Sequence, residues 1–83
     1  MNKAKFLNMN DDLSIYWVEI EGVIYGIEVN GDLLDVDGNR YTDNAPFEIA
    51  IDQNYDLEET YYILSNGYVF VAVSYGGVHH FSN

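Results

Sequence analysis

Residues 60–81 read TYYILS, NG, YVFVAVSY, GG, VHHF: three strongly β-favouring runs joined by two-residue turns. Tyr, Ile, Val and Phe suit a pleated, half-buried surface. Asn66-Gly67 and Gly76-Gly77 supply the positive φ angles that tight hairpin turns require. The middle run decides the fold. Over 68–75 one face carries Tyr68, Phe70, Ala72 and Ser74, and the other carries Val69, Val71, Val73 and Tyr75. Both faces are largely apolar, which predicts an interior strand covered on both sides. This strand is expected to be the spine of an antiparallel sheet.

The same rhythm runs through the rest of the chain. Residues 3–9 read as a short strand whose Lys3 and Lys5 suit an edge, where charge discourages unwanted pairing. Residues 8–12, NMNDD, are turn-rich. Residues 13–20 form a strand with Leu13, Ile15, Trp17 and Glu19 on one face and Tyr16, Val18 and Ile20 on the other. Glu21-Gly22 is a turn. In 23–29, Val23, Tyr25, Ile27 and Val29 alternate with Ile24, Gly26 and Glu28, the mark of a half-buried strand. Asn30-Gly31 and Asp37-Gly38 are hairpin signals. Between them 32–36 is a short strand, answered by 39–42. Pro46 lacks an amide donor and marks a strand start or an edge. Beyond it Phe47, Ile49 and Ile51 alternate with Glu48, Ala50 and Asp52. Only 53–59, QNYDLEE, lacks strand character; it has room for one helical turn and is too short to nucleate a helix alone. The expected fold is all-β: one domain over 1–83, an antiparallel meander of eight or nine short strands arranged as a small barrel, a sandwich or a strongly twisted sheet.

Length and composition narrow the function. A domain of 83 residues buries only about two-thirds of the surface of its unfolded chain, so its stability margin is thin. There is no Cys, hence no disulfide and no thiolate for zinc or catalysis. That fits a reducing cytoplasm. MNKAKFLNMNDD has no apolar stretch behind its lysines, against a secretory signal. No apolar run approaches the ~20 residues of a membrane span.

Charge is the outlier. Fourteen Asp and Glu face three Lys and Arg, a formal −11, yet 48% of the residues are hydrophobic and eight are Tyr. Acidic disordered chains are poor in aromatic and β-branched residues, so this chain is a folded acidic protein. Its charge opposes direct binding to nucleic acid or to anionic membrane and favours a basic protein partner or cations.

No motif carries catalysis. Asp35-Val-Asp37-Gly-Asn39 resembles the opening of a calcium loop, but Gly at the sixth position and Glu at the twelfth are replaced by Arg40 and Pro46. It reads as an Asp-Gly hairpin turn. His79-His80 are adjacent on a strand and point to opposite faces, so they cannot chelate one ion. Carboxylate pairs abound at Asp11-Asp12, Glu19/Glu21, Asp35/Asp37 and Glu58-Glu59. None is marked as the buried, fixed pair that glycosidases and aspartic proteases need. There is no phosphate-cradling loop and no nucleophile elbow. The expectation is a non-enzyme with no metal and no cofactor.

Trp17 and many tyrosines are expected to fill a small core. Eight Tyr exceed what such a core hides; Tyr16, Tyr41, Tyr55, Tyr61, Tyr62 and Tyr75 fall at strand ends, turns or faces with polar neighbours. Exposed tyrosines beside carboxylates suit a surface that binds Arg and Lys.

Imitation of nucleic acid sets a quantitative test. Duplex DNA carries one charge per ~1.7 Å of axis and about one phosphate per 107 Å² of enclosing cylinder. Spread evenly over ~5,000 Å², fourteen acids give about one per 360 Å². Mimicry therefore requires the acids to gather on about a third of the surface. A small, acidic, tyrosine-rich β protein without catalytic groups is similar in size and composition to phage-encoded inhibitors of host defence. These include anti-CRISPR and anti-restriction proteins, some of them DNA mimics. It is similar in the same sense to immunity proteins that neutralise nuclease toxins. Both likenesses imply a bacterial cytoplasmic setting and a basic, nucleic-acid-binding protein or nuclease complex as partner. A structural assembly module pairing through strand edges is the third reading. The residues expected to bind are Glu19, Glu28, Asp35, Asp37, Glu48, Asp52, Asp56, Glu58 and Glu59, with Tyr55, Tyr61 and Tyr62. Monomer and dimer both stay open.

Overall fold

The computed structural model describes the backbone of residues 2–75 and 78–82 and the side chains of 2–73. The expected Gly76-Gly77 turn and the side chains of Tyr75, His79 and His80 lie outside the described residues. The chain is all-β, with no helix among the described residues. Two sheets share the strands. Sheet B follows chain order: β2 (Lys5–Met9), β3 (Ile15–Ile20), β4 (Val23–Glu28) and β5 (Leu33–Leu34), all antiparallel. Sheet A holds β6 (Ile49–Asn54), β7 (Glu59–Leu64) and β8 (Tyr68–Tyr75), also antiparallel. Two strands share the far side of β8. β1 (Asn2–Lys3) runs parallel beside Tyr68 and Val69, and β9 (Val78–Ser82) runs antiparallel beside 71–75.

The expected antiparallel meander is therefore right for sheet B and wrong for sheet A, which is mixed. The two sheets do not close into a barrel. The expected strand over 3–9 is broken at Ala4. The N–H of Ala4 donates to the Val69 carbonyl in sheet A at 2.9 Å, while Lys5 already pairs with Glu19 in sheet B. Ala4 is fully buried at this corner. A methyl group lets the chain cross between sheets without opening a gap.

Period-2 alternation turns one face of each strand inward. Tyr16, Val18 and Ile20 of β3, with Ile27 and Leu33, meet Tyr62 and Leu64 of β7 and Phe70 and Ala72 of β8. Phe70 is the hub: its ring centroid lies 5.9 Å from Phe6, 5.0 Å from Tyr16 and 6.1 Å from Tyr62. Phe47, delivered just after Pro46, packs edge-on against Tyr25 at 5.0 Å.

Trp17 does not join this core. It lies on the outer face of sheet B, directly across from Gly26. A Cβ at Gly26 would fall 3.0 Å from Trp17 Cζ3 and 3.1 Å from Leu34 Cβ. The missing side chain is thus the seat of the indole.

The turns form where their glycines predict them. Glu21-Gly22 takes φ of 52° and 82°, and Gly31, Gly38 and Gly67 all lie at positive φ. Asp35 Oδ1 accepts the N–H groups of Asp37 and Asn39, each at 3.0 Å. Its carboxylate closes its own turn, as an Asx turn does. That tight closure also limits the expected strand over 39–42. Since β5 is two residues long, only one bridge forms, Leu34 to Arg40. The expected helical turn within 53–59 is absent as well. β6 continues to Asn54, which pairs with Glu59, leaving a four-residue turn over 55–58 with Glu58 at φ 53°.

Candidate protein-binding surface

The twelve residues expected to bind do not form one surface. Glu19 and Glu28 lie on the outer face of sheet B, and Glu28 meets a cation there. Glu19 pairs in register with Lys5. Glu28 receives a two-pronged contact from Arg40, at 2.8 Å from Nε and 3.3 Å from Nη2. Arg40 Nε also lies 3.4 Å from Asp32. Arg40 is held more firmly protonated by its hydrogen bond to Glu28 and the charges of Glu28 and Asp32. Asp35 and Asp37 sit in the turn after β5, and Glu48 precedes β6.

Tyr62 belongs to the core. It is 2% exposed, and its hydroxyl donates to the Val29 carbonyl at 2.9 Å. Tyr16, also expected at the surface, is buried against it with ring centroids 5.6 Å apart. In TYYILS either Tyr61 or Tyr62 must point inward, and the register gives that place to Tyr62, opposite Phe70. Burial, reinforced by the neighbouring Tyr16 phenol, pushes the Tyr62 phenol well above its ordinary range.

The other six residues come together on the β6–β7 hairpin. Asp52 pairs with Tyr61 and points to the outer face of sheet A. Glu59, two residues before Tyr61 on the same face, accepts the Tyr61 hydroxyl at 2.6 Å. That bond and, after burial, the charges of Glu59 and Asp52 raise the Tyr61 phenol. Tyr55 lies in the connecting turn, 82% exposed, with Asp56 and Glu58 beside it. Four carboxylates thus occupy residues 52–59, and no Lys or Arg follows Arg40 in the chain. Asp52, Tyr55, Asp56 and Tyr61 line a shallow hollow of about 390 Å³.

Sequence reasoning missed the surface next to this cluster. On the outer face of sheet A, Val69, Val71 and Val73 of β8 and Ile63 of β7 floor a groove of about 560 Å³. Tyr61, Glu59 and Asp52 border it, as does Lys3 of β1. Val69 and Val71 are only 6% and 8% exposed although they face away from the core. The doubly apolar alternation of 68–75 carries the signal: it predicts a strand covered on both sides, and Val69 and Val71 are buried as Phe70 and Ala72 are.

Among the described residues no three acidic, His or Cys side chains converge to hold a metal ion. No helix there is long and apolar enough to cross a membrane. No known protein family matches the chain, and no match emerges among curated proteins or solved structures.

Proposed function

We propose that this protein is a non-enzymatic inhibitor that binds the basic, nucleic-acid-contacting surface of a partner protein and keeps nucleic acid away from it. The observation that carries this reading is the β6–β7 hairpin, where Asp52, Asp56, Glu58 and Glu59 stand with Tyr55 and Tyr61 and no Lys or Arg lies within the arm. The total surface is 5256 Å², about 375 Å² for each of the fourteen acids. That is too dilute for the whole molecule to stand in for a duplex at one phosphate per about 107 Å². Glu19 has Lys5 opposite it and Glu28 is paired with Arg40, whereas the four carboxylates of the hairpin have, among the described residues, only Lys3 beside them. The hairpin is therefore the part suited to imitate a phosphate track. Its carboxylates would steer a basic partner into contact, and Tyr55 and Tyr61 would anchor it. A nuclease, whether a defence enzyme or a toxin, belongs to this partner class.

The test is capture from a bacterial lysate at low and high salt, with nucleic acid as competitor. The expected partner is a basic nucleic-acid-binding protein, released by high salt and by DNA or RNA. A variant carrying Asp52→Lys, Asp56→Lys and Glu58→Lys should lose it. Capture that survives this reversal would overturn the proposal.

A further inference from the structure

We infer that the groove on the outer face of sheet A is a pocket for an arginine side chain presented by a partner protein next to an aliphatic residue. The inference rests on the inhibitor reading and names the chemistry its site would select.

Tyr61 lies opposite Val71 on one side and Asp52 on the other, and Glu59 lies opposite Val73. The tyrosine ring therefore separates an apolar floor from a carboxylate and has a second carboxylate two residues away on its own strand. The Tyr61 hydroxyl holds Glu59 Oε1 at 2.6 Å. This fixes the direction of the carboxylate and leaves Oε2 to accept another donor. The floor of Val69, Val71 and Ile63 offers no hydrogen bond to a ligand, so it selects for hydrocarbon. A chain of methylenes ending in a cation matches both parts of the groove.

Arginine fits better than lysine for a physical reason. A guanidinium is planar, sheds water more readily than an ammonium, stacks on an aromatic ring and divides its N–H groups between two acceptors. Tyr61 supplies the ring, and Asp52 and Glu59 supply the acceptors. The volume, about 560 Å³, lies within the usual ~300–1,000 Å³ of ligand pockets and leaves room for the aliphatic neighbour. Anionic lipids are disfavoured because the two carboxylates outnumber Lys3, the one cation among the described lining residues.

The probe is hexylguanidinium, titrated into the whole protein and followed by backbone and methyl NMR. Guanidinium, hexanol and hexyl sulfate serve as controls. The expected result is saturable shifts at Ile63, Val69, Val71 and Tyr61 with hexylguanidinium, and much weaker binding of every control. Asp52→Asn with Glu59→Gln should weaken binding about tenfold or more, as loss of charge-assisted bonds requires. Both residues are solvent-accessible, and retained spectral dispersion verifies folding. Tyr61→Phe should weaken it less than the double change. Equal binding of hexyl sulfate, or shifts confined to residues elsewhere, would overturn the inference. Salt-sensitive capture of a basic partner without hexylguanidinium binding would sink this pocket alone. Hexylguanidinium binding with no such capture would sink the inhibitor reading and keep the pocket.

Discussion

The hydroxyl of Tyr62, in sheet A, donates to the carbonyl of Val29, just after β4 of sheet B, across a 2.9 Å bond that spans thirty-three residues of sequence. Together with the Tyr16 hydroxyl, which is hydrogen-bonded to it, it forms a polar pin through an apolar interface. Removing the hydroxyl costs this bond and the one it shares with the Tyr16 hydroxyl, about 2 kcal/mol together. The ring keeps its place against Phe70. Tyr62→Phe should therefore fold identically and unfold at lower denaturant by that amount. Unchanged stability would mean that the Val29 carbonyl is equally content with water.

The same phenol sets an alkaline limit. Burial raises the Tyr62 phenol above its unfolded value of 10.0, so the folded state favours the neutral form. Its contribution is complete below pH 10, since both states are then protonated. Above pH 10 the unfolded chain releases its proton first, and stability falls as pH rises towards the folded value. Stability measured from pH 8 to pH 12 should drop in the upper half of that range. The drop should be shallower in Tyr62→Phe; an equal slope would assign the effect to other groups.

Gly26 is packed rather than flexible. An added methyl would meet Trp17 Cζ3 at 3.0 Å, Leu34 Cβ at 3.1 Å and Ile15 Cγ2 at 3.2 Å. Overpacking costs about 1–3 kcal/mol, whereas exchanging glycine for alanine in a strand recovers only about 0.5–1. Gly26→Ala should be destabilising by about 1 kcal/mol, with a shifted Trp17 fluorescence maximum. A stabilised variant would show that the indole swings aside freely.

Leu13 is the converse. It holds φ at 57° while 61% exposed, in a turn closed by Asn10, whose Oδ1 accepts the N–H groups of Ser14 and Ile15 at 2.8 and 2.9 Å. The left-handed conformation costs a non-glycine residue about 1–2 kcal/mol. Glycine returns about 0.5–1 of that through chain entropy. Leu13→Gly should leave stability unchanged or raise it by up to about 1 kcal/mol, read from a denaturant midpoint. A clear loss would place Leu13 in contacts that outweigh its strain.

The net charge of −11 predicts a salt response. The molecule measures 36 × 28 × 21 Å. At 0.01 M salt the screening length is about 30 Å, so all the acids repel one another; at 0.15 M it is about 8 Å. The melting temperature should rise between these two concentrations. A fall would mean that pairs such as Arg40 with Glu28 outweigh the general repulsion.

Local chemistry settled much of this fold. Asn-Gly and Asp-Gly pairs mark their turns because few residues tolerate positive φ. Alternation divides β3 into two faces, Tyr16, Val18 and Ile20 against Ile15, Trp17 and Glu19, without saying which is inside. The acidity of the hairpin over 52–59 is written in its residues. What local chemistry leaves open is which of two apolar faces is inside. Tyr61 and Tyr62 must point in opposite directions, but only packing against Phe70 and Tyr16 decides that Tyr62 is core and Tyr61 is surface. Likewise Trp17 has every reason to be buried until Gly26 offers it a seat on the outer face. The parallel docking of β1 beside β8, the crossing at Ala4 and the groove over Val69 and Val71 join residues far apart in sequence. Tertiary structure alone made those choices, because each depends on contacts that no window of neighbouring residues contains.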